Sequence, residues 1–179
     1  LAEVKVRRYA PTNRIARADL RRTMQKALRG GGDSILLQYR KHKTRPPPLV
    51  VLCDISGSLE RYARMLLHFR AAPASDPDRV HSFVFGTRLT NVTRQLKGRD
   101  VDLALDGVAK SVEDWEGGTR IGACLEDFNR NWSRRVLGQG AIVLLITDGL
   151  DREDGETLGR AAERLGKSAK RLVWLNPLL

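Results

Sequence analysis

Asp54, Ser56 and Ser58 occupy alternate positions in the run Leu49–Ser58, LVVLCDISGS. An apolar stretch ends in a carboxylate, and two hydroxyls follow it with Gly57 between them. Two later segments end in comparable groups: Thr119 in GGTRIG, and Asp148 in TDG after the apolar run beginning at Ala141. All five side chains offer oxygen, the donor preferred by a hard cation such as Mg²⁺ or Mn²⁺. Hydroxyls from Ser56, Ser58 and Thr119 can contact such an ion without cancelling its charge. The carboxylates of Asp54 and Asp148 can hold and orient its waters. An ion held this way keeps an electrophilic position for an anionic oxygen, and a Glu or Asp of another protein is the natural donor. Taken singly, the aspartates could cap helices and the serines could satisfy turn backbone. That reading accounts for each residue but not for their joint placement.

Other chemistries find less support. Phosphoryl transfer with Asp54 as nucleophile needs a second acid two positions on, and position 56 is serine. No Gly-x-x-x-x-Gly-Lys phosphate loop occurs. Cys53 adjoins Asp54, but strand alternation turns its thiol the opposite way, into packing, and no His-Asp arrangement accompanies it. His42, His68 and His81 are isolated and lack ligand spacing. The chain is therefore expected to be a binding module and not an enzyme. Trp115 and Arg120 flank the threonine loop as candidate partner-binding residues. Trp115 equally suits the edge of the core, and Arg120 a local pair with Asp151 or Glu116. Asp151, Glu153 and Asp154 read as a solvated, charged helix start.

The elements that must position these groups alternate along the chain. Leu49–Cys53 is continuously apolar, as in a strand covered on both faces. Leu59–Ala72 carries apolar residues at helical spacing, Val80–Phe85 reads as a strand, and Arg88–Thr93 as an antiparallel neighbour. Helices are expected at 101–112 and about 121–132, a strand over 141–147, a helix over 156–165, and a strand over 171–175. The fold class is α/β: a doubly wound, mostly parallel sheet flanked by helices, with one antiparallel edge strand. Ligands of such sheets bind beyond the carboxyl ends of the strands. There the DISGS and TDG loops are expected to meet.

Charge divides the chain. The net charge is +11, with 32 Lys and Arg against 21 Asp and Glu. Residues 1–48 hold 13 basic and 3 acidic residues, and residues 49–179 hold 19 and 18. A basic amino-terminal extension (1–48) is thus expected before the main domain (49–179), with the boundary at Arg45-Pro46-Pro47-Pro48. Within the extension the first 18 residues read as extended or disordered, DLRRTMQKALRG as a helix capped by Asp19, and SILLQYRKHK as a strand. An excess of positive charge points to an acidic partner, and nucleic-acid binding is the alternative function it raises. Aromatic residues for base stacking are sparse there, so that alternative is the weaker one. Cys53 and Cys124 are read as reduced, buried thiols of a cytoplasmic protein. No apolar run approaches the roughly 20 residues that span a bilayer.

Several motifs together carry a family resemblance: DLRRTMQKAL, VVLCDISGSL, FVFGTRLTNVT, WEGGTRIG, FNRNW, RRVLGQGAIVLLITDG and RLVWLNP. In order and spacing they resemble a von Willebrand factor A (VWA) domain of the CoxE-like subgroup, over essentially the whole chain. The five positions of that family's metal-ion-dependent adhesion site match Asp54, Ser56, Ser58, Thr119 and Asp148. The resemblance implies a Mg²⁺- or Mn²⁺-dependent protein-binding module. It further implies an accessory role in maturing a molybdenum hydroxylase of the carbon monoxide dehydrogenase type, together with a MoxR-type AAA+ ATPase. Members of the subgroup usually continue past the WLNP segment, so a last strand or helix is expected beyond Leu179.

Overall fold

The computed structural model describes residues 3–31, 35–55, 77–97, 119–151 and 155–176. Ser56, Gly57, Ser58, Trp115, Glu116, Gly117, Gly118, Glu153 and Asp154 lie outside these residues, as do the helices expected at 59–72 and 101–112. The chain forms two compact units, one of Glu3–Arg45 and one from Pro46 onward.

In the first unit, β1 (Val4–Thr12), β2 (Arg17–Ala18) and β3 (Tyr39–Arg45) form an antiparallel sheet in the order β1-β3-β2. The stretch expected to be extended or disordered is thus largely a sheet strand. The strand read from SILLQYRKHK begins only at Tyr39. It pairs with β1 and β2 and does not extend the larger sheet. Helix α1 (Leu20–Arg29) starts where Asp19 accepts the Arg22 N–H at 3.1 Å. Thr23, the buried residue of α1, bonds back to the Asp19 carbonyl and accepts the Gln38 N–H at 2.9 Å, tying the helix to the chain entering β3. Tyr9 stacks beside His42, with the Arg40 guanidinium 4.9 Å from its ring centre.

In the second unit a five-stranded sheet runs β6-β5-β4-β7-β8. Its members are β4 (Leu49–Asp54), β5 (Val80–Phe85), β6 (Leu89–Asn91), β7 (Ile142–Ile146) and β8 (Arg171–Leu175). All pairs are parallel except β5 with β6, so the antiparallel edge strand falls where the sequence places it. The apolar composition of β4 follows from its position. It lies between β5 and β7, and Val50 to Cys53 are fully buried. Val50 and Leu52 face one layer with Phe83, Phe85, Phe128 and Leu165. Val51, Cys53 and Ile55 face the opposite layer with Val84, Leu96 and Ile146. Cys53 therefore packs on the other face of the sheet from Val50 and Leu52, as strand alternation requires.

The helix expected over 121–132 is longer and irregular. It runs through α2 (Ile121–Asp127), a π turn (Phe128–Trp132) and α3 (Ser133–Val136). Phe128 and Trp132 both meet the Phe83 ring edge-on, with centroids 5.2 Å away. Asn129 donates to the Ala161 carbonyl of α4 (Gly155–Ser168) at 2.9 Å, joining the two helices in the core. Because β5 and β7 flank β4 on opposite sides, the chain reverses direction across the sheet at β4. Its carboxyl end is the switch point at which such sheets bind ligands.

Candidate metal centre

Asp54 closes β4 at this switch point and is 2% exposed. Strand pairing fixes its backbone: it lies opposite Phe85, and the next residue, Ile55, donates to the Phe85 carbonyl at 3.0 Å. Its two carboxylate oxygens are oriented by hydroxyls from two other segments. Thr119 Oγ1 donates to Oδ1 at 3.2 Å, and Thr147 Oγ1 donates to Oδ2 at 2.9 Å. Both threonines are buried. Thr147, just after β7, and Thr119, two residues before α2, thus converge on the carboxylate that ends β4.

The two hydroxyls differ in what they have left to offer. Thr119 gives its proton to Asp54, and among the described residues no group donates to its oxygen. Thr147 also accepts the Gly149 N–H at 3.2 Å, so its oxygen is engaged on both sides. Thr147, expected only as the last residue of the strand over 141–147, is not among the sequence-predicted site residues. Its signal is its position, immediately after the last residue of β7 and immediately before Asp148.

Asp148 follows, half-buried, in a braced loop. Its Oδ1 accepts the Leu150 N–H at 2.9 Å, and its carbonyl accepts from Asn176 Nδ2 at 3.4 Å. The Trp174 indole N–H donates to the Thr147 carbonyl at 3.2 Å. Gly149 turns the loop at φ +83°, a conformation that suits glycine, beside the Trp174 ring. Arg120 stands at the N-cap of α2, exposed, with its backbone N–H on the Gly86 carbonyl at 3.0 Å.

Asp151 corrects an expectation. It is not a solvated member of a charged cluster: half-buried, it accepts the Ile121 N–H at 3.0 Å and the Gly122 N–H at 2.9 Å. No side chain of its own segment caps α2, so the cap comes from the loop after β7. Cys53 offers no thiolate, because burial and then the charge of Asp54 push its thiol far above the ordinary range. Among the described residues no group of three or more His, Cys, Asp or Glu side chains converges. The donor set is carboxylate and hydroxyl oxygen, which fits a hard divalent ion.

The family model for VWA domain containing CoxE-like protein matches residues 1–179. The chain belongs to the CoxE-like VWA family. No curated protein matches the sequence. Among solved structures, manganese-loaded TRAP protein of Plasmodium vivax is similar in fold, with 24% identity and a TM-score of 0.51, over 74% of this chain and 57% of that one. A von Willebrand factor type A protein of Catenulispora acidiphila gives 17% identity and a TM-score of 0.47, over 76% and 34%. Proximal thread matrix protein 1 of the mussel byssus gives 15% and 0.46, over 74% and 37%. This CoxE-like chain thus spans well under two thirds of the length of each of these relatives. Its mostly parallel sheet with flanking helices is the VWA fold, in a family of protein-interaction modules. Among the described residues no helix is long and apolar enough to cross a membrane.

Proposed function

We propose that this VWA domain binds a protein partner through a divalent ion held by Asp54, Ser56, Ser58, Thr119 and Asp148. The observation that carries the reading is the buried Asp54 carboxylate, oriented at the sheet's switch point by hydroxyls from two other segments. When bound, Mg²⁺ or Mn²⁺ supplies an electrophilic position that takes a carboxylate oxygen from the partner's Glu or Asp. The chain's own residues do the rest. Thr147 orients Asp54, Thr119 presents lone pairs beside it, and the Trp174 and Asn176 contacts brace the loop that carries Asp148. Arg120, exposed beside Thr119, and Trp115 are the proposed rim contacts. In this reading the domain is a binding module and performs no turnover.

The pathway reading rests on the CoxE-like match along the whole chain. The partners are then a MoxR-type AAA+ ATPase and a molybdenum hydroxylase, and the location is the cytoplasm. The division into a basic extension (1–48) and a VWA domain (49–179) is part of this reading, and a change of compact unit between Arg45 and Pro46 supports it. The test is a pull-down of the candidate ATPase and hydroxylase in Mg²⁺ and in EDTA, with wild type and Asp54→Ala. Capture that requires both Mg²⁺ and Asp54 supports the reading. Capture that survives EDTA and Asp54→Ala unchanged rejects the ion-mediated contact.

A further inference from the structure

The first unit exposes an apolar surface that its own fold does not use. Along α1, Asp19, Thr23 and Ala27 mark the side turned inward, with Thr23 buried. Leu20, Met24 and Leu28 lie one residue further round at the four-residue spacing of a helix face. They are 68%, 61% and 76% exposed. Ile35, Leu36 and Leu37, which lead into β3, are more than half exposed as well. Isolated exposed leucines are ordinary, but an apolar stripe of this kind beside an apolar tripeptide marks an interaction surface.

The charge around the stripe selects the occupant. Residues 3–45 hold 13 Lys and Arg against 3 Asp and Glu. A second copy of this unit would bring like charge against like charge. A flat anionic bilayer also fits poorly. At 100° per residue Arg21 borders the apolar stripe, whereas Arg22, Lys26 and Arg29 project roughly opposite it, so a plane that covers the stripe leaves three of these four bases on the far side. A groove that receives the stripe on its floor and curls acidic walls around the helix satisfies both sets at once.

We propose that α1, tied through Thr23 to Gln38 at the entry to β3 in a strongly basic unit, is a docking helix for a protein with an apolar groove and an acidic rim. It is a second contact surface, independent of the ion centre.

The test uses the full chain and calcium-loaded calmodulin as a defined probe, because that protein presents an apolar groove in an acidic surface. Binding is read by anisotropy of the labelled probe for wild type, for Met24→Ser/Leu28→Ser, and for Leu20→Met/Leu28→Met, which keeps the stripe apolar. Duplex DNA and phosphatidylserine vesicles serve as competing anionic surfaces. The expected result is binding by wild type and the methionine variant, and a loss of about tenfold or more in the serine variant. The serine variant should unfold at the wild-type temperature, and added salt should weaken binding of all three. Absent or equal binding would overturn the proposal. So would preference for vesicles or DNA, self-association relieved by the serine variant, or a lowered melting temperature showing that the chain itself covers the stripe.

Discussion

The carboxylate of Asp151 rests on the backbone of Gly122. Its Oδ2 accepts the Gly122 N–H at 2.9 Å, and a Cβ on Gly122 would lie 3.3 Å from that oxygen and 3.0 Å from the Leu158 nitrogen. The loop after β7 and the start of α2 are thereby pinned together. Asp148 stands three residues before one end of this pin, and Thr119 three residues before the other.

Disturbing the pin should cost stability and loosen the centre. Gly122→Ala inserts a methyl against backbone that cannot swing aside, at about 1–3 kcal/mol. Asp151→Ala leaves two helix-start N–H groups without their acceptor, at about 1–2 kcal/mol. Urea denaturation measures both. In each variant the Mg²⁺-induced rise in melting temperature should shrink, and a full-sized rise would show that the pin does not position Thr119.

Thr147→Val keeps the shape and removes the hydroxyl that orients Asp54 Oδ2. A buried carboxylate deprived of that donor should lower stability by about 1–3 kcal/mol. Thr147→Ser should recover most of it. Equal stability of the valine and serine variants would show that the hydrogen bond contributes nothing.

Thr119 separates ligand from scaffold. Thr119→Ser keeps an oxygen beside Asp54 and should retain stabilisation by Mg²⁺, which for a single site amounts to about 2.7 kcal/mol at a hundredfold excess over Kd. Thr119→Ala should lose most of that increment. Thermal melts with Mg²⁺ and with EDTA provide the comparison. Identical increments in both variants would remove Thr119 from the ion-binding set.

Cys53 predicts a pH dependence with a definite sign. Its folded-state thiol is held above its ordinary value by burial first and by Asp54 second. The contribution is fully present below the unfolded thiol's pKa of about 8.5 and declines as pH rises past it, because only the unfolded chain then ionises. The decline approaches about 1.4 kcal/mol per pH unit for one such group. Cys53→Ala should flatten that part of the profile between mild and strong alkali, and native Cys53 should resist thiol reagents at pH 8. Rapid labelling of the native thiol would contradict its burial.

Much of the VWA domain was legible in order along the chain. The continuous apolar runs at Leu49–Cys53 and Ala141–Ile146 announce strands buried on both faces, and a helix is expected from about position 121. These are local periodicities, and the burial of alternate faces imposes them directly on sequence. Asp54 and Asp148 were legible for the same reason, since each closes one of those runs. The π turn at Phe128–Trp132 was not, because it answers to the fit of two aromatic rings on Phe83, a partner far away in sequence.

The sequence by itself determined the fold class, the strand-end carboxylates and the uneven charge, because each is written in neighbouring residues. Tertiary structure alone decided three other things. It made Thr147 the second donor to Asp54 across 93 positions. It turned Asp151 from a surface charge into the cap of a helix that precedes it by 30 positions. It left Leu20, Met24 and Leu28 uncovered although their spacing is that of a core face. Hydrogen-bond partners and the covering of an apolar stripe depend on which distant segments arrive there, and local periodicity carries no information about that arrival.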